Sequence, residues 1–225
     1  MHRRFADRAD AGRALAEQLK HYAQRGDVIV LGLPRGGVPV AYEVAQALGA
    51  PLDVLVVRKL GVPWQCELAM GAIASGDALY VDEELMREAD VSKPEFERVL
   101  AGEKAQLARR EALFRDPQRA QIDVAGRVAI IVDDGLATGA SMKAAARALR
   151  ARTPAPAKIV AALPVAPRDA EARIGGDVDE VVCVAAPEMF FSVSQFYADF
   201  SETTDDDVRA ILARASPASG PAARG

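Results

Sequence analysis

The stretch AIIVDDGLATGAS, residues 129–141, decides how the rest of the chain is read. An apolar run ends in two adjacent aspartates, Asp133 and Asp134, and a turn of Gly, Ala and Thr follows. An alanine-rich helical pattern then begins near Ser141. A continuous apolar run of this length suits a strand buried on both faces. An Asp-Gly pair can also make a hairpin turn, but a helix pattern follows here, so the unit reads strand–loop–helix. In Gly135, Ala137, Thr138, Gly139 and Ser141, small residues leave backbone N–H groups free to form an anion nest, and the loop ends at a helix N-terminus.

Working outward, the same grammar repeats. Residues 28–31 are a second buried strand, followed by GLPRGG and a helix over 38–48, with Pro39 in its first turn and Gly49 as its stop. Residues 52–57 read as a third strand and end at Arg58 and Lys59. Further strands are expected at 128–132, 158–163 and 180–184, and helices at 10–24, 94–114, 140–151 and 168–174. A strand pair at 68–74 and 78–81 lies in a less regular segment. Strands alternating with helices imply an α/β fold: a doubly wound, mainly parallel sheet with helices on both faces. We expect a single domain over 1–214. Residues 58–124 form an insert, or hood, with a long helix; residues 186–214 form a C-terminal segment. Residues 215–225, small and Pro/Gly-rich, read as a disordered tail.

Composition narrows the classes. The chain has 225 residues, half of them hydrophobic, and a net charge of −4, which excludes the overall basic face of a general nucleic-acid binder. No apolar run approaches the ~20 residues that span a bilayer, and the N-terminus lacks a signal-peptide core. A soluble, cytoplasmic protein is expected, with no membrane partner. The two cysteines, Cys66 and Cys183, read as ordinary thiols. His2 and His21 have no catalytic spacing. The charges of the long helix read as a solvated face, and Arg109 and Arg110 are not expected to reach a ligand.

Three loops follow strand ends, where ligands of open parallel sheets bind. Beside the nest, Asp133 and Asp134 can accept hydrogen bonds from a vicinal diol or help hold Mg²⁺, directly or through water. A phosphate, a diol and a metal side by side describe a ribose 5-phosphate. Arg35, Gly36 and Gly37, at another helix N-terminus, add a second anion site.

On these residues the sequence resembles the type I phosphoribosyltransferases. VDDGLATGAS is similar to their motif for phosphoribosyl pyrophosphate (PRPP), GLPRGG to their pyrophosphate loop, and VRK to the Arg-Lys after the second strand. The likeness is strongest to a group of bacterial phosphoribosyltransferase-domain proteins, through LGLPRGGVPVA, RKLG…ELAMGAIA and PEMFFSVSQFYADF. It implies transfer of phosphoribosyl from Mg-PRPP to a nitrogenous base or related acceptor, with displacement of pyrophosphate at C1′. Asp133 and Asp134 would bind the ribose hydroxyls, and Gly135, Ala137, Thr138, Gly139 and Ser141 the 5′-phosphate. Arg35, Gly36 and Gly37 would hold pyrophosphate, with Arg58 and Lys59 closing on it. Glu67 is the candidate for orienting or deprotonating the acceptor, and Phe190 and Phe191 for stacking on it. A homodimer is also implied. The 6-oxopurine members carry an acid where this chain has Ala137, which argues against hypoxanthine or guanine. The 58–124 segment is long for the family's flexible loop. Two other classes fit the same pocket: a PRPP- or nucleotide-sensing module without turnover, and a hydrolase or phosphorylase of a phosphoribosyl compound.

Overall fold

The computed structural model describes residues 4–76, 78–114 and 123–215. The chain begins with helix α1 (Arg8–Gln18), whose N-cap Asp7 accepts from the backbone N–H of Asp10 at 2.7 Å. Strand β1 (Val28–Gly32) leads into α2 (Gly37–Leu48), which stops at Gly49 in the left-handed conformation. Next come β2 (Leu52–Val54), β3 (Val57–Val62), β4 (Gln65–Ala74), β5 (Ala78–Val81), α3 (Glu83–Glu88) and α4 (Lys93–Phe114). The second half runs β6 (Val128–Val132), α5 (Ala140–Arg150), β7 (Lys158–Val165), α6 (Ala170–Ile174), β8 (Glu180–Ala185) and α7 (Asp205–Arg214).

Five strands form one parallel sheet in the order β2-β1-β6-β7-β8. Side chains alternate across it, as the pleat requires. Val28, Val30, Ile130 and Val160 join α1 and α2 in one apolar cluster. Ile29, Leu31, Ile131 and Ile159 join α5 and α6 in the other. Both faces are therefore covered, and the strands read as unbroken apolar runs because neither face meets water. From β1 the chain winds out to β2 and later returns on the other side as β6. The strand order reverses between β1 and β6, so a crevice opens at their carboxyl ends.

Two expectations change. Residues 52–57 do not form one strand. Pairing with β1 ends at Val54, and Val56 N–H donates instead to the Ser75 hydroxyl at 3.0 Å, steering the chain into a second sheet. That sheet is antiparallel, in the order β3-β4-β5. A short apolar run specifies burial, not which sheet receives it. The 10–24 helix ends at Gln18, and a 3₁₀ turn, Lys20–Tyr22, completes the segment.

α4 and α5 both pack against the antiparallel sheet. The two chain ends are tied together: Phe5 N–H donates to Phe196 C=O, and Ala198 N–H to Phe5 C=O, each at 2.8 Å. Residues 216–225, which hold nearly all of the expected tail, lie outside the described residues. No described helix is long and apolar enough to cross a membrane.

Candidate functional site

The β1 and β6 loops meet across the crevice between these two strands. Leu33 N–H donates to Val132 C=O at 2.9 Å, which carries the pairing one step beyond the strands and sets the GLPRGG turn against the acidic pair. The Pro34–Arg35 peptide in this turn is cis. Only glycine fits the next two positions. A Cβ on Gly36 would overlap the Asp134 carboxylate, and one on Gly37 would lie 2.6 Å from Val132 O. Gly36 is thus required by the Asp134 side chain, and Gly37 by the backbone at Val132 and Asp133.

Asp133 and Asp134 crowd one spot. Asp133 Oδ1 accepts from Asp134 N–H at 2.9 Å. Burial pushes the Asp133 carboxyl well above its usual range, and the Asp134 charge adds to the rise. Burial also raises Asp134, against the pull of Arg8, whose Nε donates to Asp134 Oδ2 at 2.9 Å. Arg8 is held in turn by Ser201 C=O at 2.7 Å and by the Phe200 ring, 4.0 Å from its guanidinium carbon. The Tyr197 hydroxyl donates to Asp134 C=O at 2.5 Å, and burial pushes this phenol upward. Arg8 supplies one cation to Asp134; hydroxyl donors or a further cation would favour the charged form of both carboxyls.

Behind the aspartates lies a pocket of about 180 Å³, lined by Asp133, Gly135, Ala137, Thr138, Gly139 and Ser141 among others. Gly139 is the N-cap of α5 with φ +80°, a conformation that glycine adopts without strain, so the helix N-terminus aims into the pocket. Arg173 in α6 braces the loop by donating to Ala137 C=O at 2.8 Å.

The sequence-predicted cations are dispersed. Arg35 forms an ion pair with Glu202 of the C-terminal segment. Arg58 donates to Glu103 of α4 at 2.7 Å. Lys59 is exposed and pairs across the sheet with Ala72, itself opposite Tyr80, whose ring faces Arg147 of α5. Strand alternation therefore turns Arg58 towards α4 and Lys59 towards α5. The pair does not close on one point together.

Arg58 lines a larger pocket of about 480 Å³, shared with Leu33, Pro34 and Ser141 and with Arg109 and Arg110 of α4. The solvated face expected of this helix is, at these two arginines, a pocket wall. Phe190 stacks on Phe196 with ring centroids 5.6 Å apart, whereas Phe191 is 83% exposed. Val193, two residues on, lines the pocket behind the aspartates. The Glu67 backbone belongs to β4, and its side chain lies outside the described residues.

Sequence reasoning missed Arg8, Tyr197 and Arg173. Arg8 lies 126 positions from Asp134 and Tyr197 lies 63 from it, with no local motif linking them.

Residues 5–201 match the profile of the phosphoribosyl transferase domain. Two curated relatives from Mycobacterium tuberculosis, strains H37Rv and CDC 1551, each bear the name "Putative phosphoribosyl transferase". Each is 49% identical over 211 residues, which is 94% of this chain and 47% of the relative. The chain thus spans about half the length of these relatives. The crystal structure of TT1426 from Thermus thermophilus is 41% identical and superposes with a TM-score of 0.85, covering 95% of this chain and 99% of that one.

Proposed function

This chain belongs to the phosphoribosyl transferase domain family, and from that premise we propose that it transfers phosphoribosyl from Mg-PRPP to a nitrogenous acceptor. One observation carries the reading: at the end of β6 a half-buried acidic pair, through Asp133, opens onto a pocket of about 180 Å³ capped by the N-terminus of α5. In this reading Asp133 and Asp134 accept hydrogen bonds from the ribose hydroxyls. The backbone of 135–141 and the Thr138 and Ser141 hydroxyls hold the 5′-phosphate. The loop at Arg35, Gly36 and Gly37 holds pyrophosphate, with Arg58 beside it.

In the reaction, the C1′–O bond to pyrophosphate breaks, with its electron pair going to the leaving group. The nitrogen lone pair of the acceptor forms the new C1′–N bond, and the acceptor's proton passes to solvent or to a base. The protein's part is placement and stabilisation of the growing negative charge. Magnesium, held by Asp133 and Asp134 directly or through water, would neutralise charge on the donor. Two carboxylates suit an ion that keeps most of its water and substrate oxygens. Among the described residues no cluster of three or more His, Cys, Asp or Glu offers a protein-only cage. In this reading Phe191, exposed and two residues before Val193 of the pocket lining, stacks on the acceptor ring.

The test is thermal unfolding with PRPP and Mg²⁺, combined with an assay of pyrophosphate release over a panel of bases. Ligand at ~100 times its dissociation constant stabilises by about 2.7 kcal/mol, or roughly 5–10 °C for a chain of this size. A shift with release for one base supports transfer and names the acceptor class. A shift without release for any acceptor points to a sensing module. No shift removes the proposal.

A further inference from the structure

The long helix α4 faces the crevice with an unexplained set of charges. Gln106, Arg109, Arg110 and Leu113 line the larger pocket at spacings of three, four and seven residues, so they share one helical face. Next to that face, Leu107 and Phe114 are buried, 8% and 4% exposed, and fasten the helix to the core. The bond from Arg58 to Glu103 fastens it to β3. Three guanidiniums thus border one pocket, and among the described residues the carboxylate that pairs with them is Glu103, on Arg58. Arg110 lies over the Phe114 ring at 5.6 Å, and Arg109 has no ion pair with a described residue. On a chain with net charge −4, this is a local concentration of positive charge, which attracts anions.

Sheet order tells which anion. The loops after β7 and β8 approach the β6 loop from one side, and those after β1 and β2 from the other. The larger pocket is on the β1–β2 side: Leu33 and Pro34, which lead into the Arg35 turn, form part of its wall, as do Leu55 and Val56. Phe191 and Val193 follow β8, on the opposite side. A displacement at C1′ sends the leaving group away from the face the acceptor enters.

We infer that Arg109 and Arg110 of α4 bind the departing pyrophosphate, so that a fixed helix supplies the leaving-group cations beside the Arg35 turn. The inference rests on the phosphoribosyl-transfer reading and deepens it. The helix that carries these charges is anchored before the ligand arrives, so its backbone needs no reorganisation during the reaction.

The experiment is calorimetric titration of the full chain with inorganic pyrophosphate and, separately, with ribose 5-phosphate. Arg109→Ala/Arg110→Ala is compared with Arg109→Lys/Arg110→Lys. The alanine pair should weaken pyrophosphate by at least about tenfold and ribose 5-phosphate by less than about twofold, and the lysine pair should recover much of the loss. Unchanged pyrophosphate affinity in the alanine pair overturns the inference, as does an equal loss for both ligands. A wild-type chain that binds PRPP and ribose 5-phosphate but not pyrophosphate overturns it while leaving the transfer reading standing. A wild-type chain that binds none of the three removes both.

Discussion

Asp133 sits where its charged form is disfavoured, by burial first and by Asp134 second. Its carboxyl titrates higher in the folded chain than in the unfolded one. Its contribution to stability is therefore fully present below the unfolded pKa and lost as pH rises through the folded one. Above the unfolded pKa, neutral pH included, burial of this carboxyl therefore weakens the ligand-free fold. Asp133→Asn should accordingly melt higher than wild type at pH 7 without ligand, with the gap closing as pH falls towards about 4. The same variant should lose the PRPP shift. A lower melting temperature at pH 7 would contradict the assignment. Arg8 offsets part of this repulsion from a position 13% exposed. Arg8→Ala should cost about 1–3 kcal/mol, read by denaturant unfolding. Gly36→Ala should abolish PRPP binding, because its methyl meets a carboxylate that Arg8 holds still. Gly26→Ala, with nothing within 4 Å of its added Cβ, is the matched control and should bind normally.

At the scale of elements, α4 connects stability to the site. Leu107 is one of its two buried anchors and adjoins Gln106 of the pocket face. Leu107→Ala should destabilise by about 2–4 kcal/mol and raise hydrogen exchange in α4 more than in β1 or β6. Uniform exchange across the three elements would mean that the helix is not attached through this residue. The parallel strands were legible in the sequence because burial on both faces leaves a continuous apolar run, as at 28–31 and 128–132. α7 carries a weaker local signal: Thr204 and Asp207, within TTDDD, form its capping box. The β2–β3 corner was not legible, since Leu55 and Val56 are as apolar as the strand before them. Only the Ser75 hydroxyl and the β4 strand decide where the chain turns.

At the scale of the whole molecule, the two sheets share one core. Leu60, Met70 and Ile73 of the antiparallel sheet belong to the same apolar cluster as Val28, Val30 and α2. Heat should therefore unfold the chain in one cooperative transition, moved as a unit by PRPP and Mg²⁺. Two resolved calorimetric transitions would show the β3–α4 segment to be an independent unit.

By itself the sequence determined the strand–loop–helix units, the acidic pair with its anion nest, and the family resemblance. These depend on neighbours within about fifteen residues, where periodicity and turn chemistry act directly on the backbone. Tertiary structure alone decided which charges meet. It set Arg8 against Asp134, drew Arg35 to Glu202, turned Arg58 and Lys59 to opposite faces of β3, and brought Arg109 and Arg110 to the crevice. Long charged side chains carry no periodic signature of their partners. Their pairing is fixed only when the order of strands in the sheet brings distant segments to the same edge.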